Sequence, residues 1–324
     1  MTDAECLSIQ NLSCDFLTVK GIVYALGGVN LRLTRGEIHG LVGESGCGKS
    51  VSSRAILGLL DKRHTRLGGT VQFDGRNLLA LPEREMCSVR GKRISMVFQD
   101  PQNSLSPLET VGRQIEEAMA NHLDLAREEL RSRTYTLLEK VGLYPDVYRQ
   151  YPFELSGGMQ QRVMIAQAIS CNPELLIADE PTTALDLTIQ AQVLSLLRAL
   201  QSELSLTVLL ITHNFAIVTE NCDRVSVMYA GRIVETAAVR ELIKSPAHPY
   251  TRALINCIPR TSGEQAREPL PVIPGAPPTL YEPSSGCPFV PRCPRAASAC
   301  AAPPPLTDLG GGRTVSCHYP EGSG

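Results

Sequence analysis

The stretch "GESGCGKS" (Gly43–Ser50) decides the fold of this chain. It follows "IHGLV" (Ile38–Val42), which reads as a short buried strand, and precedes the helix-compatible run "VSSRAILGLL". A G-x-x-x-x-G-K-S loop between a strand and a helix is typical of a phosphate-binding loop, because its backbone N–H groups converge on an anion at the helix N-terminus. We predict that Lys49 reaches the β- and γ-phosphates and that the Ser50 hydroxyl binds Mg²⁺. The predicted nucleotide-binding residues of this segment are Gly43, Glu44, Ser45, Gly46, Cys47, Gly48, Lys49, Ser50 and Val51.

A second apolar strand, "LLIA" (Leu175–Ala178), ends in two carboxylates, Asp179 and Glu180. Parallel α/β sheets bind ligands at the carboxyl ends of their strands, where both side chains are expected to lie. Asp179 suits a Mg²⁺ partner that acts through water. Glu180 suits a general base that polarises the attacking water, since phosphoryl transfer mainly demands positioning and charge stabilisation.

Two further strands end in polar side chains that we expect at the same edge. The strand "LTVLLI" (Leu206–Ile211) leads to His213, which we predict contacts the γ-phosphate. The strand "ISMVF" (Ile94–Phe98) leads to Gln99. A neutral amide at that position orients water or serves as a Mg²⁺ ligand without adding charge.

The segment "LSGGMQQR" (Leu155–Arg162) separates this chain from other proteins with phosphate loops. Ser156, Gly157 and Gly158 form a second helix N-terminus suited to an anion. Two such helix ends far apart in one chain suggest that two chains sandwich the nucleotide.

In this order, the motifs resemble those of the ATP-binding subunits of ABC transporters, over about residues 5 to 258. The matching elements are "GESGCGKS", Gln99, "LSGGMQQ", "LLIADEP", "ALD" (Ala184–Asp186) and His213. The resemblance implies an α/β fold: a P-loop ABC ATPase cassette with a mixed sheet core, a helical subdomain at about residues 100–161 and an antiparallel β subdomain. A small proline- and cysteine-rich C-terminal appendage, residues 259–324, is predicted to follow a domain of residues 1–258.

The resemblance also implies a mechanism, in which ATP lies between the phosphate-loop side of one subunit and the signature segment of the other. The first group comprises Lys49, Ser50, Gln99, Asp179, Glu180 and His213, and the second comprises Ser156, Gly157 and Gly158. Asp186 helps to couple the two sites. Members of the family stack adenine on an aromatic residue upstream of the loop; we favour Tyr24, and Phe16 is the alternative.

Two C-terminal segments narrow the resemblance to the peptide-importer branch: "SPAHPYTRALINCIP" (Ser245–Pro259) and "IPGAPPTL" (273–280). This implies an ATPase that drives import of dipeptides or oligopeptides, with nickel, opines or other small solutes as alternative cargo. The implied partners are a second ABC ATPase subunit, two transmembrane permease subunits and an extracytoplasmic solute-binding protein. Importers of this branch commonly pair two different ATPases, and the sequence leaves heterodimer and homodimer both open.

Composition restricts the other function classes. The 324 residues carry 31 Lys and Arg against 33 Asp and Glu, which gives no basic excess for nucleic-acid binding. The start "MTDAECLSIQ" has no secretory signal pattern, and no apolar run is long enough for a membrane span. We therefore expect a chain at the cytoplasmic face of the membrane, held there by the permease. A soluble ABC ATPase acting on ribosomes or DNA would usually carry two cassettes or a coiled-coil insertion, and an inactive scaffold would not need Lys49, Asp179, Glu180 and His213 intact.

The proline-rich tail holds four cysteines, Cys287, Cys293, Cys300 and Cys317, with His318 beside the last. Disulfides are disfavoured in the cytosol, and the spacing lacks the close C-x2-C pairs of structural zinc sites. Because some peptide-importer ATPases have a similar tail with a 4Fe-4S cluster, we predict such a cluster here. Zinc and unligated thiols are the alternatives.

The helix "TIQAQVLSLLRALQSEL" is predicted to bury one stripe of core residues: Ile189, Val193, Leu196, Leu200 and Leu204.

Overall fold

The structure of the chain is a computed structural model that describes residues 5–183, 185–258, 271–278, 281–282 and 285–321. Its backbone forms two compact units. The first unit consists chiefly of residues 34–38 and 80–211. The second consists of residues 7–33, 39–79 and the C-terminal part from Thr212. Ala184 of the predicted "ALD" segment lies outside the described residues, as do 259–270 at the start of the predicted appendage.

The first unit is built around three parallel strands: β6 (Ile94–Val97), β7 (Leu175–Asp179) and β8 (Thr207–Thr212). Val97 pairs with Ala178, and Asp179 pairs with Ile211. All five residues of β7 are buried. Such uniformly buried runs belong to parallel strands covered on both faces, which explains their continuous apolar sequence.

Helices make up the rest of the first unit. They are α2 (Glu83–Val89), α3 (Pro101–Ser104), α4 (Val111–Ala120), α5 (Arg127–Lys140), α6 (Gly157–Ile169) and α7 (Leu187–Leu204). Four of them, α3 to α6, lie between β6 and β7 in the sequence. The two longer helices near the predicted site begin at capping side chains, Ser156 for α6 and Asp186 for α7, which accept hydrogen bonds from backbone N–H groups of the first turn.

The second unit contains an antiparallel sheet of β1 (Glu5–Thr18), β2 (Gly21–Thr34), β4 (Thr65–Phe73) and β5 (Arg76–Asn77), in the order β2-β1-β4-β5. It also contains β3 (Ile38–Val42), which runs parallel to β9 (Arg224–Tyr229). Next to β9 follows the antiparallel strand β10 (Arg232–Ala238). The helices of this unit are α1 (Lys49–Ile56), α8 (Phe215–Asn221), α9 (Val239–Lys244) and α10 (Pro249–Asn256).

The C-terminal residues are part of the second unit. Strands β11 (Leu306–Gly310) and β12 (Arg313–Ser316) form a hairpin, and β12 pairs with β10 through Glu235 and Val315. Residues 290–292 and 298–301 form short 3-10 turns. The tail thus extends this sheet by two strands beyond β10, in the order β3-β9-β10-β12-β11. In the described ranges, no helix is both long and apolar enough to cross a membrane.

Candidate nucleotide site

The loop after β3 has the geometry of an anion cradle. Gly46 and Gly48 both adopt left-handed backbone conformations, with φ of 79° and 107°, and Gly48 caps the N-terminus of α1. The Lys49 side chain is buried and turns back over the loop. Its Nζ donates hydrogen bonds to the carbonyl oxygens of Gly43 at 2.8 Å and Glu44 at 3.1 Å. The loop carbonyls therefore fix the position of the lysine ammonium at the helix N-terminus.

At two positions of this loop only glycine fits, because atoms of neighbouring strands lie where a Cβ would be. A Cβ on Gly43 would overlap the carbonyl oxygen of Met228 at the end of β9. A Cβ on Gly48 would lie 2.9 Å from the carbonyl oxygen of Ala25 in β2 and 2.8 Å from Leu26 Cδ2. The loop is thus held between β2 and β9, which leaves Ser45 and Gly46 as its exposed residues.

Cys47 lies on the inner side of the loop. Its thiol is buried, and this burial raises its pKa above the ordinary value. Its carbonyl oxygen accepts a hydrogen bond from the N–H of Gly231 at 2.8 Å. Ser50 and Val51, the last predicted contacts of the segment, occupy the first turn of α1 and are half-buried.

In the first unit, the structure brings together two of the predicted catalytic side chains. Gln99, just beyond the end of β6, donates from Nε2 to Glu180 Oε2 at 3.1 Å. The backbone of Glu180 is left-handed, with φ of 49°, and its N–H donates to the carbonyl oxygen of Ile211 at 2.9 Å. A non-glycine residue in this region costs on the order of 1–3 kcal/mol, and such strain is enriched at active sites. The strained turn points the carboxylate toward the amide of Gln99.

Sequence reasoning missed a further partner of Glu180. The hydroxyl of Thr183 donates to Glu180 Oε2 at 3.0 Å, so this oxygen accepts two hydrogen bonds. The available signal was the "PTT" that follows Glu180, which places a hydroxyl three residues after the carboxylate. Asp179, the last residue of β7, is buried.

The signature segment also belongs to the first unit. Ser156 Oγ accepts from the N–H of Met159 at 3.4 Å, and both Ser156 and Gly157 are exposed at the start of α6. A Cβ on Gly158 would lie 2.7 Å from Ile189 Cγ2, so this glycine allows α6 to pack closely on α7. The result is an exposed helix N-terminus of the kind that binds anions.

His213 and Tyr24 are placed in the second unit. His213 follows β8 directly and is exposed, between Thr212 and Asn214, whose N–H donates to Thr212 Oγ1 at 3.0 Å. Tyr24 is half-buried in β2, next to Ala25, whose carbonyl borders Gly48. Phe16, the alternative adenine partner, lies in β1 and pairs with Thr65 in β4.

The structure contradicts the prediction of an iron–sulfur cluster in the tail. The four tail cysteines border one small cavity, together with His248 and His318. In the parts of the chain that the structure describes, which include these residues, no group of three or more His, Cys, Asp or Glu is placed so that it could hold a metal ion. The four cysteines are free, and burial raises the pKa of the Cys287, Cys293 and Cys317 thiols. The prediction of a cluster was wrong, and the zinc alternative fails on the same finding.

Two family models match separate parts of the chain. The ABC transporter family model matches residues 26–183, and the model of the oligopeptide/dipeptide transporter C-terminal region matches residues 234–300. The chain is 51% identical to the probable peptide ABC transporter ATP-binding protein y4tR of Sinorhizobium fredii, over 96% of this chain and 94% of the relative. It is 44% identical to the oligopeptide transport ATP-binding protein OppD of Escherichia coli, over 97% and 93%.

Solved structures agree on the fold. The ATP-binding cassette MJ0796, in a dimeric post-hydrolysis state bound to ADP and Pi, is 30% identical with a TM-score of 0.65, covering 72% of this chain and 99% of that one. The predicted fold class, a P-loop ABC cassette, is therefore confirmed. The chain belongs to the ABC transporter family, as one of its ATP-hydrolysing ATP-binding subunits.

Proposed function

We propose that this chain is the energy-coupling ATPase of an ABC importer for dipeptides or oligopeptides. The observation that carries the proposal is the match of residues 234–300 to the oligopeptide/dipeptide transporter C-terminal region. Relatives that align along nearly the whole chain are named for peptide and oligopeptide transport. The cargo itself is selected by other subunits in this family, so the ATPase identifies the branch of transporter.

Each predicted site residue has a proposed role in ATP hydrolysis. Lys49 and the loop N–H groups bind the β- and γ-phosphates. Ser50 and Asp179 would hold Mg²⁺, which would neutralise negative charge on the phosphates. Glu180 acts as the general base on the attacking water. Its hydrogen bond from Gln99, at 3.1 Å, supports this role because it keeps the carboxylate oriented. His213 contacts the γ-phosphate.

A second ATPase subunit completes the arrangement. The exposed start of α6, with Ser156, Gly157 and Gly158, contacts the ATP held by the phosphate loop of the other subunit, and Asp186 couples the two sites. The exposure of Ser156 and Gly157 supports this role, since an anion-binding helix end must be open to its ligand. The partner is a second, related ATPase or another copy of this chain.

Tyr24 is proposed as the residue that stacks on adenine. Its neighbour Ala25 borders Gly48 at the phosphate loop, which supports Tyr24 over Phe16.

The ATPase pair works at the cytoplasmic face of the membrane. There it acts on two permease subunits, which receive the cargo from a solute-binding protein.

The test is reconstitution of the chain with its permease subunits and solute-binding protein in liposomes. We expect ATP-dependent uptake of a labelled tripeptide, and no uptake when Glu180→Gln replaces the wild-type chain. Uptake of labelled nickel but no peptide would support the alternative cargo. ATP hydrolysis without any membrane partner, together with failure to co-purify with a permease, would contradict the importer role.

A further inference from the structure

Arg292, in the C-terminal tail, forms a two-pronged ion pair with Glu44 of the phosphate loop. One terminal nitrogen lies 2.7 Å from Glu44 Oε2 and the other lies 2.9 Å from Glu44 Oε1. The two residues are 248 positions apart in the sequence and belong to the same compact unit. The Arg292 side chain is only 4% exposed and that of Glu44 is 26% exposed. Water therefore screens the pair far less than it screens an ordinary surface ion pair.

The guanidinium is fixed from several directions. Its Nε donates to the carbonyl oxygen of Pro274 at 2.8 Å, and a terminal nitrogen donates to that of Ile273 at 3.4 Å. The group also lies over the ring of Tyr229, 5.8 Å from its centroid, and reaches the Tyr229 hydroxyl at 3.4 Å. A buried guanidinium is costly unless its N–H groups are paired. These contacts use all the donors of Arg292 and therefore fix the side chain in this position.

Glu44 links this arginine to the phosphate-binding lysine. Its N–H donates to the hydroxyl of Tyr250 at 3.1 Å, and its carbonyl oxygen accepts from Lys49 Nζ at 3.1 Å. The same carbonyl accepts from the N–H of Cys47 at 3.3 Å. Any rotation about the backbone bonds of Glu44 therefore moves an acceptor that positions Lys49. Tyr250 restrains Glu44 at its N–H, and Arg292 restrains it at its side chain.

An aromatic contact docks the tail segment that carries Arg292. Phe289 is 1% exposed, and its ring centroid lies 5.2 Å from that of Tyr229 and 5.3 Å from that of Tyr250, both with edge-to-face geometry. Tyr229 ends β9 and Tyr250 lies in the first turn of α10. The segment is thus packed on the same two tyrosines that contact Arg292 and Glu44.

We propose that Arg292 is a positioning residue of the nucleotide site, which acts through Glu44 to hold the phosphate loop in its ATP-binding conformation. The affinity for ATP accordingly depends on a docked C-terminal tail. In this proposal Arg292 itself makes no contact with ATP. Its effect reaches ATP through the side chain of Glu44 and the carbonyl that Lys49 contacts.

The test compares ATP affinity and stability in the full-length chain. Arg292→Met removes the charge and keeps much of the side-chain volume. Arg295→Met is the matched control, because Arg295 is in the same tail but its side chain is 44% exposed and its nearest carboxylate oxygen, on Glu321, is 3.7 Å away. We expect the Kd for MgATP, measured by equilibrium binding, to rise on the order of tenfold in Arg292→Met and to stay at the wild-type value in Arg295→Met. A wild-type Kd in a folded Arg292→Met chain would overturn the proposal.

A double-mutant cycle separates positioning from general stabilisation. Glu44→Gln breaks the same ion pair from the loop side, so Arg292→Met combined with Glu44→Gln is expected to bind ATP no more weakly than the weaker single variant. Additive losses of affinity would mean that Arg292 does not act through Glu44. Arg292→Lys keeps the charge but loses the two-pronged geometry, and is expected to give an intermediate Kd.

Lowered thermal stability in these variants with no change in Kd would mean that the ion pair only fastens the tail. If Arg292→Met does not fold, Arg292→Lys and Glu44→Gln decide the question, since wild-type affinity in both would equally overturn the proposal.

Discussion

Phe289 gives the most direct measure of how firmly the C-terminal tail is bound. The ring is 1% exposed and packs on Tyr229 and Tyr250. Truncation of a buried phenylalanine to alanine typically costs about 3–5 kcal/mol, from lost burial and the cavity that remains. Since Phe289 belongs to a tail segment that can relax, we take about 3 kcal/mol for Phe289→Ala. Phe289→Leu keeps most of the volume and is expected to cost about 1 kcal/mol.

Amide hydrogen exchange measures this loss of stability at individual residues of the tail. The N–H of Arg292 donates to the carbonyl of Phe289 at 2.9 Å, and that of Cys287 donates to the carbonyl of Cys300 at 3.0 Å. A loss of about 3 kcal/mol from the opening free energy corresponds to exchange on the order of a hundredfold faster at both amides. The control is Tyr281→Ala, because this tail tyrosine is 50% exposed. If exchange in Phe289→Ala rises no more than in Tyr281→Ala, the aromatic contact does not hold the tail.

Three further predictions concern the phosphate loop and its surroundings. Burial raises the pKa of Cys47, so alkylation at neutral pH should be slow; once it occurs it should abolish ATPase activity, and bound ATP should protect. Full activity after mass spectrometry has confirmed labelling of Cys47 would contradict this. Gly48→Ala should weaken equilibrium ATP binding by at least about tenfold, because its φ is 107° and its Cβ would lie 2.9 Å from the Ala25 carbonyl oxygen. Gly36→Ala is the control, since Gly36 also has positive φ but open space around it, and equal affinities in the two variants would contradict the reasoning. Burial lowers the pKa of His248 from 6.5 to about 4. At pH values between about 4 and 6.5, the unfolded chain therefore binds more protons than the folded chain. The contribution of His248 to stability is complete above pH 6.5 and falls by about 2 kcal/mol at pH 5. Thermal unfolding at pH 7.5 and pH 5 should therefore differ less in His248→Asn than in wild type, and an unchanged difference would refute the assignment.

Four strands, β3, β6, β7 and β8, could be predicted from sequence because each is a short, mainly apolar run. The predicted strand Ile38–Val42 has the same bounds as β3, and all of it is buried. The predicted strand Ile94–Phe98 ends one residue earlier, at Val97, and Phe98 is 39% exposed. An aromatic residue at a strand end is apolar whether or not it is covered, so its sequence could not indicate this exposure.

The buried face of α7 was predicted only in part. Val193 and Leu200 are buried as expected, whereas Ile189, Leu196 and Leu204 are half-buried. The structure buries Leu194 and Leu197 instead. Leucines occupy neighbouring positions in this helix, so periodicity alone cannot choose between two adjacent faces.

The tail shows the limits of composition as a guide. Four cysteines in a short segment predicted a cluster, but residue counts carry no information on whether the thiols meet in a metal-binding geometry. The pair of Arg292 and Glu44 was not predicted, because a contact between residues 248 positions apart leaves no local pattern in one sequence. The remaining signal was a lone arginine in the apolar run "PFVPR", a residue type that is rarely buried without a partner.

The role of Glu180 as general base is the central claim about this ATPase, and one substitution tests it. Glu180→Gln leaves an oxygen that can still accept from Gln99 and Thr183, so geometry is kept while basicity is lost. The measurement is steady-state MgATP turnover by the chain assembled with its permease, beside ATP binding. The control is Glu203→Gln, an exposed carboxylate paired with Lys140. A fall in turnover of at least about a hundredfold, with ATP binding retained and the control unaffected, is the predicted result. Unchanged turnover in Glu180→Gln would contradict the assignment.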